Sequence, residues 1–560
     1  MESKLLKRRL PAWLIMTWGG FNAGALLGLA DALAVITLGL SSFDRGGAFV
    51  GLITGDAFGC GLIGIASVWI AAGMAKLFRI RARRFRPLFA GVVIIMVCGI
   101  LSLNNLYWTL REPDGDPAGD AGNILLITLD TLRADAPGCG GNSTVRTPML
   151  DRLAARGFQY CNAVCTVPMT TPSHASMLTS TIPAVHGAVE NRYRLNDRNV
   201  TLPEVLRHRG YRTAAFVSCF PLDRKFGLDQ GFMLYHDRFG VPGDLRQMSW
   251  LKPILEYSHR HDMERVARHT NSLVIPWIRR YSTMAPFFLW IHYFDPHAPY
   301  APPQPERQYY LQNPGEGRPY LDDDDRNRAR DAVPPGLRNE TVPGIPEALY
   351  LGEVSETDRA IERVFRELAS RRILDRTIVC LVADHGESFG EHGLFYTHGE
   401  DIYEPALHVP MIWYHAGHNG RLSADLANLI DIAPTVLTKL GIPIPETMEG
   451  LDLFGGATRE GCLVENYGLI MTHGAYKQRG FRTVDQKYIL SLESQTSELY
   501  NLADDPGETR NQADFNGLRV EELKRVTTEG FDQAGKRGIE AVPDTSDETM
   551  QRLKSLGYFR

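Results

Sequence analysis

The first part of the chain alternates long apolar segments with short basic ones. Residues 12–40, 48–75 and 88–108 are apolar runs, and each is long enough to cross a bilayer as a helix. We therefore expect three transmembrane helices, which together form a membrane anchor over residues 1–111. A polar stretch rich in glycine and proline, 112–122, follows the third run and is typical of a linker.

Basic residues are concentrated in two loops of this anchor. They precede the first run and separate the second from the third: Lys4, Lys7, Arg8, Arg9, Lys76, Arg79, Arg81, Arg83, Arg84 and Arg86. Short loops rich in Lys and Arg stay in the cytoplasm, so everything after the third span should lie outside it. We expect an integral protein of a bacterial inner membrane that contacts the lipid bilayer and has an extracytoplasmic folded domain.

After the linker, short apolar runs alternate with amphipathic ones. The buried runs are predicted strands, and the amphipathic runs are predicted helices. The predicted strands are Ile124–Leu129, Thr213–Val217, Pro286–Phe294 and Thr377–Ala383; the predicted helices are Thr147–Arg156, Ser173–Thr179, Leu202–Arg209 and Glu347–Ser370. This alternation predicts an α/β fold with a mostly parallel sheet sandwiched by helices. We expect that domain over 123–460 and a C-terminal subdomain and tail over 461–560.

One segment of the α/β domain departs from this pattern. Residues 301–345 are rich in Pro, Asp, Arg and Tyr, which indicates a long surface insertion. A solvated loop and a lid over a functional site are both compatible with that composition, and the loop is the simpler interpretation.

Charge and cysteine content exclude some classes of function. Of 60 basic and 65 acidic residues, residues 1–111 hold 12 and 4, so the anchor carries +8 and the remainder −13. An acidic folded part argues against nucleic acid as a partner, because phosphate backbones require basic surfaces. The eight cysteines include no CxxC pair, so neither a zinc site nor a dense disulfide framework is indicated.

Acidic and imidazole side chains follow three of the predicted strands. Asp130 follows the first, Asp295 and His297 follow the third, and Asp384 and His385 follow the fourth. Ligands of open α/β sheets bind beyond the carboxyl ends of the strands, so we expect these groups to form one site. Carboxylate and imidazole groups of this kind are ligands for calcium, manganese, magnesium or zinc.

The start of a predicted helix lies between the first and second predicted strands. The stretch Val167–Ser180 reads VPMTTPSHASMLTS, and Pro172 suits the first turn of a helix. Thr171 is then the expected side-chain cap, and Thr170 should stand just outside, facing free N–H groups that favour an oxyanion. A divalent ion next to Thr170 would activate its hydroxyl as a nucleophile.

Several of these segments occur in a known order. The chain reads NILLITLDTLRAD at 123–135, TTPSH at 170–174, FDPHAPY at 294–300, ADHGESFGEHG at 383–393 and LYNLADDPGETRN at 499–511. This ordered set resembles the sulfatase family of the alkaline phosphatase superfamily across residues 123–512. The resemblance implies that family's fold and an anionic ester as substrate, in a glycan, a lipid or a small molecule.

The resemblance also implies roles for individual residues. Asp130, Asp384 and His385 match metal ligands of one divalent ion, and Thr170 matches the nucleophile, which also contacts that ion. His297 matches a histidine that contacts substrate and acts as acid or base, and His398 falls near a position that neutralises the transferring group. His174 replaces the arginine of the usual Cys-x-Pro-x-Arg motif, and His186 is a further candidate for substrate binding or for packing.

The departures from the family pattern define the functional hypotheses. Ordinary sulfatases convert the motif cysteine, or a serine, to formylglycine, whereas this chain has Thr170. Threonine nucleophiles occur in membrane-anchored relatives that transfer phosphoethanolamine or phosphoglycerol. The leading expectation is a metal-dependent hydrolase of sulfate or phosphate esters with a threonine nucleophile. The alternatives are a headgroup transferase of that type and a catalytically silent membrane protein that binds anions.

Overall fold

The computed structural model describes residues 122–238, 264–416, 420–468 and 477–556. The predicted membrane anchor and residues 112–121 of the linker lie outside these ranges. Within them, none of the helices combines the length and the apolar character needed to cross a membrane.

A central sheet organises the domain, and in the described ranges it has eight strands. We number them β1 to β8: Asn123–Leu129, Phe158–Val164, Arg212–Phe216, Leu234–His236, Phe287–Tyr293, Thr377–Ala383, Met411–Tyr414 and Arg421–Asn428. Their order across the sheet is β8-β2-β7-β6-β1-β5-β3-β4. β7 is antiparallel to both of its neighbours, and the other pairs are parallel. The predicted mostly parallel α/β sheet is therefore confirmed.

The strands near the middle of the sheet consist almost entirely of buried side chains. All seven residues of β1 and all seven of β5 are buried. A strand with helices on both of its faces has no solvated side, which explains why the sequence shows continuous apolar runs rather than alternation. All four strands predicted from the sequence exist, and their ends differ from the prediction by one residue at most.

Helices cover the sheet and connect its strands. We number them α1 to α12: Pro148–Arg156, Thr170–Thr179, Pro183–His186, Leu202–His208, Ala267–Tyr281, Glu306–Leu311, Asp323–Asp331, Ile345–Ser370, Glu404–Leu407, Ile432–Lys439, Gly517–Arg537 and Asp547–Ser555. The long helix α8 packs against α5 and α6. At the start of α1, the backbone N–H groups of Met149 and Leu150 donate to the carboxylate of Asp358 in α8.

Helix α2 is unusual because every one of its ten residues is buried. It begins at Thr170, three residues earlier than predicted, and Met169 is its N-terminal flanking residue without a side-chain cap. The predicted cap by Thr171 is wrong. Instead, Asn191 Oδ1 accepts the backbone N–H of Thr171 at 2.9 Å, and the Thr171 hydroxyl donates to the carbonyl of Pro221.

The C-terminal part adds a second, antiparallel sheet. Its strands β9 to β12 are Cys462–Asn466, Gln478–Arg482, Gln486–Ser491 and Ser497–Asn501, in chain order across the sheet. Helix α11 packs on them and buries Val520 and Leu523 against Tyr488 and Leu499. Two short strand pairs, Tyr193–Arg194 with Val542–Pro543 and Ser388–Phe389 with Phe395–Thr397, complete the described strands.

Residues 301–345 fold into helices rather than a simple solvated loop. This insertion contains α6 and α7, and its Tyr320 packs edge-on against Phe395. Arg328 donates to the carboxylate of Glu400 at 2.9 Å. The insertion therefore contacts the segment that carries the candidate site residue His398, although the composition alone favoured a loop.

Candidate active site

Two carboxylates stand side by side at the carboxyl end of the central strands. The last paired residues of β1 and β6 are Leu129 and Ala383, so Asp130 and Asp384 leave the sheet next to each other. Both side chains are completely buried. The parallel topology therefore brings together two acidic residues that are far apart in sequence, as the strand-end pattern predicted.

The backbone fixes one carboxylate oxygen of Asp384. Its Oδ1 accepts the N–H groups of His385 at 2.9 Å and of Thr131 at 3.3 Å. Its Oδ2 has no hydrogen-bond partner among the described residues and lies 3.5 Å from His385 Nε2. Asp130 Oδ1 likewise lacks a hydrogen-bond partner there and lies 3.6 Å from the same nitrogen.

The hydrogen bonds of His385 determine its tautomer. Its Nδ1 lies 3.0 Å from the carbonyl of Gly386, and a carbonyl can only accept, so Nδ1 carries the proton. Nε2 then presents a lone pair toward both carboxylates. The hydroxyl of Thr170 is 3.4 Å from this nitrogen. Burial lowers the pKa of His385 well below its ordinary value, which keeps the ring neutral.

Burial also shifts the pKa values of the two carboxylates. It raises the pKa of Asp130 to about 8, although the charge of His398 opposes the shift. Burial, with the charge of Asp130, raises the pKa of Asp384 well above its ordinary range. Two adjacent buried carboxylates are costly to ionise unless a cation lies close to both, so the pair favours binding of a cation.

A divalent cation fits this site. Asp130, Asp384 and His385 each offer one ligand atom, and these atoms lie within 4.8 Å of one another. The two carboxylate oxygens without hydrogen-bond partners among the described residues, Asp384 Oδ2 and Asp130 Oδ1, lie 3.5 and 3.6 Å from His385 Nε2. This donor set of oxygen and imidazole nitrogen suits the metals that the sequence suggested.

Two further histidines extend from His385, because His398 contacts the ring of His385 and His297 contacts the ring of His398. The ring of His398 lies 4.5 Å from it and 5.0 Å from the ring of His297. His297 Nδ1 donates to the carbonyl of Ala298 at 2.6 Å, so its Nε2 is the acceptor nitrogen. Burial and the charge of His398 lower the pKa of His297 well below its usual value.

His398 differs from its neighbours because it has an acidic partner. Its Nδ1 is 3.2 Å from Oε1 of Glu387, whose other oxygen accepts the hydroxyl of Tyr300 at 3.3 Å. Burial lowers the pKa of His398, but the charges of Glu387, Asp130 and Asp384 outweigh burial and raise the pKa overall. The site therefore combines two neutral imidazoles with one that is poised to hold a second proton.

His174 is connected to the backbone of Thr170. Its Nδ1 donates to the Thr170 carbonyl at 2.8 Å, and its Nε2 accepts the hydroxyl of Thr128 at 3.0 Å. That hydroxyl oxygen in turn accepts the indole N–H of Trp290 at 2.9 Å. The Thr170 carbonyl can only accept and the indole N–H can only donate, so this series of hydrogen bonds holds His174 in the tautomer with the proton on Nδ1. Both ring nitrogens are thus engaged within the protein.

His186 is engaged in a similar way. It is fully buried; its Nε2 lies 3.0 Å from the hydroxyl oxygen of Ser176, and its Nδ1 accepts the N–H of Ala188 at 3.1 Å. These contacts fit the packing role that the sequence left open for it.

Sequence reasoning missed three residues of this region, namely Glu387, His292 and Cys219. His292 Nε2 lies 3.5 Å and Cys219 Sγ 3.8 Å from Asp130 Oδ2. Burial lowers the pKa of His292 to about 3, so the ring is neutral. The sequence did carry a signal for His292, because it is an ionisable residue at the next-to-last position of an otherwise apolar or aromatic buried strand.

The cysteines of the described ranges are all free thiols. They are Cys139, Cys161, Cys165, Cys219, Cys380 and Cys462.

Comparison with known proteins identifies the family. The sulfatase family profile matches residues 122–442, and that of the C-terminal region of N-sulphoglucosamine sulphohydrolase matches residues 390–529. An arylsulfatase of Clostridium perfringens is 28% identical over 377 residues, which cover 59% of this chain and 77% of the relative. Human iduronate 2-sulfatase is 25% identical over 434 residues, covering 64% and 74% of the two chains.

Solved structures show the same fold. A structure described as a complex with its substrate, D-glucosamine-2-N,6-O-disulfate, superposes with a TM-score of 0.61 at 19% identity and covers 74% of this chain and 98% of the other. The phosphonate monoester hydrolase of Agrobacterium radiobacter gives a TM-score of 0.58 at 19% identity, covering 76% and 100%. With the fold, the ordered motifs and a profile match over more than half of its length, the chain belongs to the sulfatase family of ester hydrolases.

Proposed function

We propose that this protein is a metal-dependent hydrolase of sulfate or phosphate esters that uses Thr170 as its nucleophile. The observation that carries the proposal is the convergence of the Thr170 hydroxyl with His385, Asp130 and Asp384 in one buried cluster. The hydroxyl lies 3.4 Å from His385 Nε2, which faces both carboxylates. Thr170 also occupies the first position of α2, where backbone N–H groups and the helix dipole favour a bound anion.

One divalent ion is proposed as the cofactor, held by Asp130, Asp384, His385 and Thr170. When bound, the ion would lower the pKa of the Thr170 hydroxyl and neutralise charge on the substrate ester. The raised pKa values of the two carboxylates support this assignment, because burial disfavours their ionised forms and the charge of His398 offsets this only in part.

The proposed reaction begins when the Thr170 hydroxyl gives up its proton to water and Oγ1 attacks the sulfur or phosphorus atom of the ester as an alkoxide. A bond forms from Oγ1 to that atom, and the bond from the atom to the alcohol oxygen breaks. His398 donates a proton to the departing alcohol, because its contact with Glu387 favours the protonated form of the ring. The neutral His398 can then accept a proton from water. The water oxygen bonds to the sulfur or phosphorus atom, the bond from that atom to Oγ1 breaks, and Thr170 is released as the alkoxide with free sulfate or phosphate.

The remaining histidines have supporting roles in this scheme. His297, with Nε2 as its acceptor nitrogen, is proposed to contact the substrate or the attacking water. His174 is proposed to hold the Thr170 backbone through its 2.8 Å hydrogen bond to the carbonyl rather than to bind substrate directly.

Two considerations bear on the substrate. A relative from Formosa agariphila, 23% identical over 437 residues, is described as an ulvan-active sulfatase, and the disulfated glucosamine above is the substrate of a protein with the same fold. These neighbours support a sulfated glycan as the anionic ester. The phosphonate monoester hydrolase supports tolerance of phosphorus in place of sulfur.

Transfer of a lipid headgroup is the second candidate function. The unmodified threonine and the predicted anchor favour it, because a nearby membrane would supply both donor and acceptor lipids. In that case an acceptor hydroxyl would replace water in the second step. We further propose that the anchor holds residues 112–560 outside the cytoplasm, as the basic loops predict.

An assay with matched variants tests the proposal. The full chain, purified in detergent, should cleave an aryl sulfate or aryl phosphate, and Asp384→Asn should lose metal content and turnover together. Asp401→Asn is the control, because Asp401 is also buried but accepts the N–H of Tyr403. A folded Asp384→Asn variant with full metal content and unchanged turnover would contradict the assignment. Release of alcohol without free sulfate or phosphate would favour transfer.

A further inference from the structure

The two proposed carboxylate ligands are oriented by different means. Asp384 Oδ1 accepts two backbone N–H groups, so its orientation does not depend on any one side chain. Asp130 Oδ2 instead faces two side chains, with His292 Nε2 at 3.5 Å and Cys219 Sγ at 3.8 Å. Asp130 Oδ1, the oxygen on the metal side, has no hydrogen-bond partner among the described residues.

The hydrogen bonds of His292 indicate which nitrogen carries the proton. Its Nδ1 accepts the backbone N–H of Ser218 at 3.3 Å, so in the neutral ring Nδ1 holds the lone pair. The proton is then on Nε2, which lies 3.5 Å from Asp130 Oδ2, at the limit of hydrogen-bond distance, and has no hydrogen-bond partner among the described residues. The hydroxyl of Ser218 also donates to the backbone carbonyl of His292, so Ser218 contacts both the ring and the backbone of this histidine.

This tautomer decides between two interpretations of the cluster. The ligand atoms of Asp130, Cys219 and His292 lie close enough together to hold a second metal ion. A neutral histidine binds a metal through a lone pair, however, and the lone pair of His292 is directed at the Ser218 N–H. A proton on Nε2 instead suits donation to the carboxylate.

We propose that His292 is a positioning residue that donates from Nε2 to Asp130 Oδ2 and thereby directs Oδ1 toward the catalytic metal. Cys219 supports the same oxygen with its weakly donating thiol. The inference rests on the proposed metal site, and it adds to that site a residue that touches neither the metal nor the substrate. Such outer partners fix the direction of a ligand, and their loss weakens metal binding roughly 10- to 100-fold.

Two substitutions of His292 separate positioning from packing. In His292→Gln, the amide nitrogen can take the place of Nε2 and still donate to Asp130. In His292→Asn, the shorter amide can accept the Ser218 N–H, but it does not reach Asp130. His408→Gln is the control, because the ring of His408 donates to the carbonyl of Cys161 at 2.7 Å and lies outside the cluster.

The measurement is titration of Mn²⁺ into the metal-free full chain by isothermal calorimetry, with metal-free melting temperatures as the folding control. We expect one ion per chain, binding about 10- to 100-fold weaker in His292→Asn, and near-native affinity in His292→Gln and His408→Gln. Equal affinities in wild type and a folded His292→Asn would overturn the inference and leave the metal site intact. Two ions per chain in wild type, falling to one in His292→Asn, would overturn it in favour of a second metal site.

Two further results keep the test decisive. If wild type binds no Mn²⁺, the inference and the proposed metal site fail together. If His292→Asn does not fold, Cys219→Ala removes the other group next to Asp130 Oδ2. Weaker Mn²⁺ binding in that variant supports positioning of Asp130, and unchanged affinity overturns it.

Discussion

The Nε2 atom of His385 lies 3.4 Å from the hydroxyl oxygen of Thr170, although 215 positions separate the two residues in the chain. The parallel sheet explains this proximity. Strand β6 delivers His385 to the carboxyl edge, and α2 begins at the same edge with Thr170 as its first residue. The proposed nucleophile and a proposed metal ligand therefore meet through the topology of the fold.

Removal of the metal should make stability depend on pH. Burial raises the pKa of Asp130 from 3.8 in a model compound to about 8. Between roughly pH 4 and pH 8 the folded metal-free protein retains a proton that the unfolded chain has lost, so stability should fall as pH rises through this window. Melting curves in EDTA should show this decline as a difference between wild type and Asp130→Asn, because the other buried carboxyl and imidazole groups are common to both proteins.

Added metal should reverse that loss. At a free concentration about 100 times its dissociation constant, a ligand specific for the folded state adds roughly 2.7 kcal/mol. Wild type should therefore melt at a higher temperature with Mn²⁺ than with EDTA at neutral pH, whereas Asp130→Asn should show little difference. A difference in melting temperature between EDTA-treated wild type and Asp130→Asn that stays constant from roughly pH 4 to pH 8 would contradict the assignment of a raised pKa to Asp130.

Glu387→Gln should change the pH profile of the enzyme. Glu387 helps to raise the pKa of His398, so the neutral amide should lower that pKa and move the alkaline limb of kcat/KM to lower pH. General acid catalysis contributes about 100-fold or more, and part of that rate should disappear at neutral pH. A pH–rate profile measures both effects.

Glu391→Gln is the control for that experiment. Glu391 is a nearby carboxylate that accepts from Arg133 at 3.0 Å. The Glu391→Gln substitution should leave the alkaline limb of kcat/KM at the same pH as in wild type. An identical shift in both variants would mean that the change is not specific to the contact with His398.

His174 should act through the backbone rather than through the substrate. Replacing it with Phe removes the hydrogen bond to the Thr170 carbonyl and leaves the Thr128 hydroxyl without that acceptor. We expect kcat to fall with KM nearly unchanged, measured by steady-state kinetics on an aryl ester. A large rise in KM at constant kcat would instead indicate direct substrate contact.

Much of the fold could be predicted because the central strands are buried on both faces. Strands β1 and β6 appear in the sequence as continuous apolar runs that end in aspartate, and the structure places them side by side. The antiparallel strand β7, Met411–Tyr414, has four residues and carries too little pattern to be recognised. The insertion was misread because its polar helices, such as Asp323–Asp331, gain their order from contacts such as Arg328 with Glu400.

The candidate site was only partly visible in the sequence. Asp130, Asp384 and His385 could be found because strand ends share an edge of the sheet. The cap of α2 could not be found, because it comes from Asn191, twenty residues downstream. Likewise, the pairing of Glu387 with His398 depends on a turn whose geometry no local pattern encodes.

Membrane orientation is a prediction of the basic loops and is tested separately from the chemistry. With residues 112–560 outside the cytoplasm, protease added to cells with a permeabilised outer envelope should digest the folded domain. A cytoplasmic marker protein should survive the same treatment. Protection of the domain until the inner membrane is lysed would contradict the predicted topology.

The nucleophile assignment can be tested with two adjacent threonines. Thr170→Ala should retain its melting temperature and lose at least ~10³-fold in turnover, because it removes the attacking oxygen. Thr171→Val should lose about 1 kcal/mol of stability, since the buried hydroxyl donates to Pro221, and keep most of its turnover. Thr170→Ser, which keeps a hydroxyl, should retain measurable activity.

The most direct measurement is mass spectrometry of the protein quenched during turnover of a slow substrate. We predict one sulfuryl or phosphoryl group on the peptide that contains Thr170, localised to that residue by fragmentation, and no adduct in Thr170→Ala. Thr170 should otherwise be unmodified. An adduct on Ser173 or on a histidine, or full activity in Thr170→Ala, would contradict the central claim.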